Sequence, residues 1–276
     1  MTLKKIPESV YRHQIKAYSQ SQLQQLLDLS PRQWKKEQSR PREETPAMIT
    51  GTLAHAIALE GAEKVEEGFA VDDWTARIDE KTGKPKKRSN AADYQEFKLK
   101  LLQSKKPYIK IEDLAASKNT AIAIEKAWGK NSKSPLLALP GTPEIAIYDH
   151  MFGDIPAKGL IDFFPQKHFI IDLKTSGFEL DDRSLRKKLY SGWLLQAAFY
   201  HDLVEKETGE SRVFLNLVCN VKTYETRVIR VDPNSEAMEY GRERYRQALD
   251  ILKSCLDANE WPGYETLDAN QFFERN

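Results

Sequence analysis

The spacing of apolar residues divides the chain near residue 140. Before that point they recur at helical intervals. Leu23, Leu26 and Leu27 follow Tyr18-Ser19-Gln20-Ser21, whose serines are N-cap residues, and Pro31 restarts the chain into Arg32-Gln33-Trp34. Pro46 to Glu60 reads as a second helix with Met48, Leu53, Ala56 and Ile57 toward the core. Residues 74–92 interrupt the pattern with Gly83, Pro85 and a basic run, which predicts a mobile loop. Further helices are expected near 91–105 and 112–129. From residue 142 the period shortens toward two. Residues 144–148, 158–164 and 168–174 read as three strands, joined by a turn at 149–153 and a tight connection at 165–167. Residues 183–206 form a long amphipathic helix pattern, and 212–221 with 224–231 a strand pair turned at Lys222-Thr223. Residues 234–258 close the chain as a helix capped by Asn234 or Ser235. This order predicts an α/β sandwich with a mixed central sheet flanked by helices and an N-terminal helical region.

Composition narrows the class. Hydrophobic residues make up 40% and mean hydropathy is −0.61, values of a soluble globular chain. No apolar run approaches the ~18–20 residues of a bilayer crossing, so no membrane partner is expected. The N-terminal residues lack the apolar core of a secretory signal. Two cysteines, Cys219 and Cys255, are too few for a disulfide framework or a four-cysteine metal cluster, and a reduced, cytoplasmic setting is expected.

The net charge of +1 conceals segregation. Residues 81–133 carry 14 basic and 5 acidic side chains, whereas 59–80 carry 2 and 8, and 134–182 carry 3 and 8. A basic binding surface beside an acidic metal site has this pattern, and so does a solvated, charge-rich helical lobe.

The candidate chemistry lies in the strands. In Ile170-Ile171-Asp172-Leu173-Lys174 a carboxylate and an ammonium stand two residues apart on one face. Leu160-Ile161-Asp162-Phe163-Phe164 sets a second carboxylate in the preceding apolar strand. In an antiparallel hairpin of this length Asp162 and Asp172 come close enough for one divalent ion to bridge them. Glu144 offers a third oxygen and the main-chain carbonyl of Leu173 a fourth. Such an oxygen site suits Mg²⁺, with Mn²⁺ substituting, and Lys174 would orient water and stabilise developing charge in phosphodiester hydrolysis. An ordinary strand-end ion pair would use the same Asp-x-Lys, so both readings stay open on the residues alone.

Four stretches, in this order, resemble a known family: Tyr18 to Pro31, Gly51-Thr-Leu-Ala-His-Ala-Ile-Ala-Leu-Glu60, Gly159-Leu-Ile-Asp162 with Ile171-Asp-Leu-Lys-Thr-Ser176, and Gln196-Ala-Ala-Phe-Tyr-His-Asp202. The chain resembles the PD-(D/E)XK nuclease superfamily, specifically its exodeoxyribonuclease VIII (RecE-type) branch of phages and prophages. The resemblance implies a restriction-endonuclease-like core. It gives His55, Asp162, Asp172 and Glu144 to the metal and the catalytic role to Lys174, and it uses Gln196 and Tyr200 to hold the DNA backbone or the lysine. Lys158 takes the place of the basic residue before the carboxylate, and Ile161-Asp162 departs from the usual Pro-Asp. Lys158 and the Arg186-Lys187-Lys188 run are candidates for DNA contact or support, and Trp74 or Tyr94 for either a wedge or stacking platform at a duplex end or a place in the core.

The implied organisation is one nuclease domain over 1–276: a helical part to 140, a catalytic core over 141–264 and a tail over 265–276. The implied activity is a processive 5′ to 3′ exonuclease on double-stranded DNA ends, leaving 3′ single-stranded tails for recombination. Its implied partners are a RecT-like annealing protein and copies of itself in a tetrameric ring, in the cytoplasm of a bacterial host. An endonuclease or single-strand nuclease of the same fold, or a non-catalytic DNA-binding protein that keeps it, would share much of this pattern.

Overall fold

The second half of the chain supplies five strands of one sheet, with apolar residues buried on both of its faces. The computed structural model describes residues 3–40, 45–63, 68–89, 91–104, 106, 108–127 and 134–264, so the expected tail 265–276 and the end of the helix expected to reach 129 lie outside the described residues. The strands are β1 (Leu3–Lys5), β2 (Ala70–Asp72), β3 (Tyr108–Lys110), β4 (Gly141–Phe152), β5 (Ile155–Pro165), β6 (Phe169–Ser176), β7 (Val213–Asn220) and β8 (Thr226–Val231). The helices are α1 (Glu8–His13), α2 (Gln20–Asp28), α3 (Pro31–Gln38), α4 (Pro46–Glu60), α5 (Ala92–Gln103), α6 (Ile111–Glu125), α7 (Asp182–Lys188), α8 (Leu194–Thr208) and α9 (Glu236–Ala258). No described helix is long and apolar enough to cross a membrane.

Six strands form one sheet in the order β1-β4-β5-β6-β7-β8, antiparallel throughout except for the parallel pair β6 and β7. The sheet is therefore mixed, as expected. A parallel pair needs a crossover connection, and α7 and α8 supply it. On one face Ile147, Ile170 and Phe214 pack with Leu23 and Leu26 of α2, Phe199 and Leu203 of α8, and Met238 and Leu252 of α9. On the other, Ile171, Leu173, Leu215 and Leu217 pack with Ile124 of α6. A smaller core joins Leu53 and Ile57 of α4 to Leu114 and Ala121 of α6.

Side-chain caps start several of the helices, and of Asn234 and Ser235 it is Ser235 that caps α9. Ser30 accepts from the Gln33 N–H, Thr45 from Met48 and Ser235 from Met238. Removing the last cap by Ser235→Ala is expected to cost about 1 kcal/mol and to lower Tm by about 3 °C in thermal unfolding. An unchanged Tm would mean that packing alone sets the start of α9.

Several expectations are corrected. Strand β4 runs well past Tyr148, because a register shift between Ile147 and His150 absorbs the polar residues there and lets pairing resume at His150 with Ala157. The helix expected over 183–206 is interrupted by a π-helical turn, Leu189–Trp193, in which Gly192 has a φ of 142°, a conformation open to glycine alone. Residues 74–92 are not a featureless loop. A 3₁₀ turn at Trp74–Ala76, a bridge between Ile78 and Pro85, and Arg88 bound to Asp72 and Glu112 organise them. Trp74 and Tyr94 are buried there, with Trp74 Nε1 donating to the Lys87 carbonyl and the Tyr94 hydroxyl to Asp72. Both rings thus take the core role.

Candidate active site

Three acidic residues arrive from three adjacent strands. The β5–β6 ladder holds the pair Phe163 and Ile171, and one step further along sets Asp162 level with Asp172. There the Leu173 N–H donates to Asp162 Oδ2 at 2.7 Å, so a side chain takes the place of a main-chain acceptor and the ladder opens around the two carboxylates. On the other side, the pairs Pro143–Phe163 and Ile145–Ile161 leave Glu144 opposite Asp162. Glu144 has a φ of 53°, a costly conformation for a non-glycine residue inside a strand.

Lys174 and Gln196 complete a triangle with Asp172. The Lys174 Nζ lies 2.7 Å from Asp172 Oδ2 and donates to Gln196 Oε1 at 2.7 Å, while Gln196 Nε2 donates to Asp172 Oδ1 at 2.6 Å. Gln196 sits on α8, a helix buried almost all round, where an unbonded amide would be costly. Its hydrogen bonds tie it to both Lys174 and Asp172. Lys174 also stands 5.8 Å from the centre of the Trp193 ring. Tyr200, one turn along α8, is buried; its ring packs against Gly159, and the Leu160 N–H bonds to its hydroxyl. It braces α8 against β5.

His55 comes from α4, on the opposite side. A Cβ at Gly51 would lie 2.6 Å from Thr175 Oγ1, so glycine lets this helix approach β6 closely one turn before His55. The His55 Nε2 is buried without a hydrogen-bond partner. Asp172 Oδ2 is also buried and accepts no aligned hydrogen bond, although the Lys174 ammonium is close to it. Burial lowers the His55 pKa to about 4; the Asp172 charge opposes this and the Lys174 charge adds to it. The ring is therefore neutral near pH 7 and keeps a free lone pair, the form that ligates metals. Burial raises the pKa of both Asp162 and Asp172 to about 6, against the pull of Lys174. The Glu144 charge adds to the rise at Asp162.

One neutral imidazole nitrogen among carboxylate oxygens is a donor set that fits a small divalent cation. Among the described residues, the three-residue group with ligand atoms within 4.8 Å of one another lies elsewhere, at His201, Asp202 and Glu205. Two of its three residues are engaged within the protein: Arg242 lies 3.0 Å from Asp202, the Tyr245 hydroxyl donates to Asp202 at 2.6 Å, and both ring nitrogens of His201 are hydrogen-bonded.

The basic candidates separate. Lys158 is buried and donates to the carbonyls of Tyr11 and Ile15, each at 2.8 Å, fastening the N-terminal segment to β5. Arg186, Lys187 and Lys188 are exposed in the last turn of α7, just before the π-helical turn that carries Trp193. Two residues were missed. Trp193 gave no signal, since an aromatic in an amphipathic pattern reads as core. Asn216 did give one: it is a lone amide in the run Phe214-Leu-Asn-Leu-Val-Cys219, level with Asp172 on the neighbouring strand.

The chain matches no curated protein. It is similar to a solved protein from Eubacterium rectale described as a "Putative exonuclease", with 15% identity and a TM-score of 0.59 over 99% of both chains, a likeness of fold. The solved protein SSO0001 gives 11% identity and a TM-score of 0.30 over 85% of this chain and 84% of its own, too distant to carry an argument. A family model described as a PDDEXK-like domain of unknown function (DUF3799) matches residues 16–271. With nearly its whole length matched and a mixed sheet bearing the Asp162, Asp172 and Lys174 arrangement, the chain belongs to this PDDEXK-like family.

Proposed function

We propose that this chain hydrolyses DNA phosphodiester bonds with a divalent ion, Mg²⁺ or in its place Mn²⁺. The observation that carries the reading is a buried His55 Nε2 with no hydrogen-bond partner in one site with Asp162 and with an Asp172 whose Oδ2 faces the Lys174 ammonium. His55, Asp162 and Asp172 would hold the ion, with Glu144 and the Leu173 carbonyl as further oxygen donors. Such an ion, when bound, neutralises phosphate charge and makes its water more acidic. Lys174, held by Gln196, sets an ammonium at the edge of the carboxylates, where it orients the attacking water and stabilises charge growing on a phosphate oxygen. Burial of the carboxylates strengthens each of these interactions by excluding bulk water.

The finer reading is a processive 5′ to 3′ exonuclease of the RecE type on duplex ends, working as a tetrameric ring beside a RecT-like annealing protein. Its support is the ordered set of four sequence stretches together with the exposed Arg186, Lys187 and Lys188, available to phosphates. Linear and covalently closed circular duplex incubated with Mg²⁺ test it. Degradation of linear DNA alone is expected. Cutting of the closed circle would replace the exonuclease with an endonuclease, and inertness toward both and toward single-stranded DNA with Mg²⁺ and Mn²⁺ would end the nuclease reading.

A further inference from the structure

We infer that Asn216 is a positioning residue for Asp172: its side-chain amide reaches the Asp172 carboxylate through one water and fixes the orientation in which that carboxylate meets a divalent ion. The inference rests on the metal-dependent reading of the site. In the parallel β6–β7 pair, Asn216 is the register partner of Asp172. Neighbouring strands lie about 4.8 Å apart and paired residues share a face, which brings the amide within side-chain reach of the carboxylate. The cores give the same direction. Phe214 and Ile170 pack on the α8 side, whereas Leu215, Leu217, Ile171 and Leu173 pack on the α6 side. Asn216 and Asp172 alternate with the second set, so both turn toward α8, where Gln196 already donates to Asp172 Oδ1.

Supply and demand meet at this point. Asp172 Oδ2 lacks an aligned donor, and Asn216, fully buried, has no partner for either Nδ2 or Oδ1. Of the five buried side-chain polar atoms without a partner among the described residues, four belong to His55, Asp172 and Asn216. Elsewhere in β7 the buried positions are mostly apolar. An amide held there without hydrogen bonds is costly, and leucine would pack better if packing were its only task.

Mn²⁺ binding to the protein without DNA, followed by calorimetry and paired with thermal unfolding, tests the idea. The wild type is expected to bind Mn²⁺ and Asp172→Asn to lose binding. Asn216→Leu is expected to fold with a Tm at or above that of the wild type and to bind Mn²⁺ about tenfold more weakly. Asn216→Ser, which keeps a donor, should recover part of that loss. Asn216→Ala is read in the same way if leucine proves too large to fold. Wild-type affinity in a folded Leu or Ala variant overturns the inference. A wild-type chain that binds no Mn²⁺ overturns the reading of the whole site, and this inference with it.

Discussion

Lys174→Ala is expected to slow DNA hydrolysis by about 10³-fold, on the order of 4 kcal/mol of transition-state stabilisation, while Mn²⁺ still binds. The ammonium is the only described cation in direct contact with both Asp172 and Gln196, and nothing else in the triangle can replace its charge. Its loss leaves the ligand atoms of His55, Asp162 and Asp172 in place, so binding and chemistry separate. Single-turnover kinetics beside a Mn²⁺ titration make the measurement. A loss below tenfold would remove Lys174 from the chemistry, and a loss of metal binding would make it a structural partner of Asp172 alone.

Asp172→Asn is expected to abolish activity and yet stabilise the fold at pH 8, by on the order of 2 kcal/mol or about 5 °C in Tm. Burial raises the folded pKa of Asp172 to about 6, above its ordinary value of 3.8. The folded state therefore holds the proton more tightly than the unfolded chain. Stability from this group is fully present below about pH 4 and is lost as pH rises through its folded pKa. Asparagine keeps the neutral state at every pH, and its Oδ1 can still accept from Gln196. The loss of charge opposite Lys174 trims the gain. Unfolding at pH 4 and pH 8 should show the two proteins alike in acid and apart in base. A variant less stable than the wild type at pH 8 would show that the Asp172–Lys174 pair stabilises the fold on balance. Added Mn²⁺ should raise the Tm of the wild type alone.

The same burial that makes the carboxylates costly is what made them legible. Asp162 and Asp172 stand out because each interrupts an apolar strand, and a lone charge in such a run is a cost that function explains. Asn216 sends the same signal with an amide, and it was passed over because no charge drew attention to it. Gln196 and Tyr200 share a helix spacing, but only packing distinguishes them: one is bonded to Asp172 and Lys174, the other wedged beside Gly159. Lys158 had the right charge and strand for a phosphate contact, and its burial under the N-terminal segment assigned it elsewhere.

Local pattern determined the helix starts at Ser19 and Ser235, the order of helices and strands, and the strand positions of both aspartates, because caps and alternation act over a few neighbouring residues. Only the tertiary structure decided that β5 and β6 part at Asp162 and Asp172, that Glu144 adopts a left-handed conformation opposite them, and that α7 and α8 are separated at Gly192. It also brought His55 from over 100 residues away to the same carboxylates. These features depend on which strands and helices become neighbours. That choice is made by the burial of whole faces, which no short stretch of the chain contains.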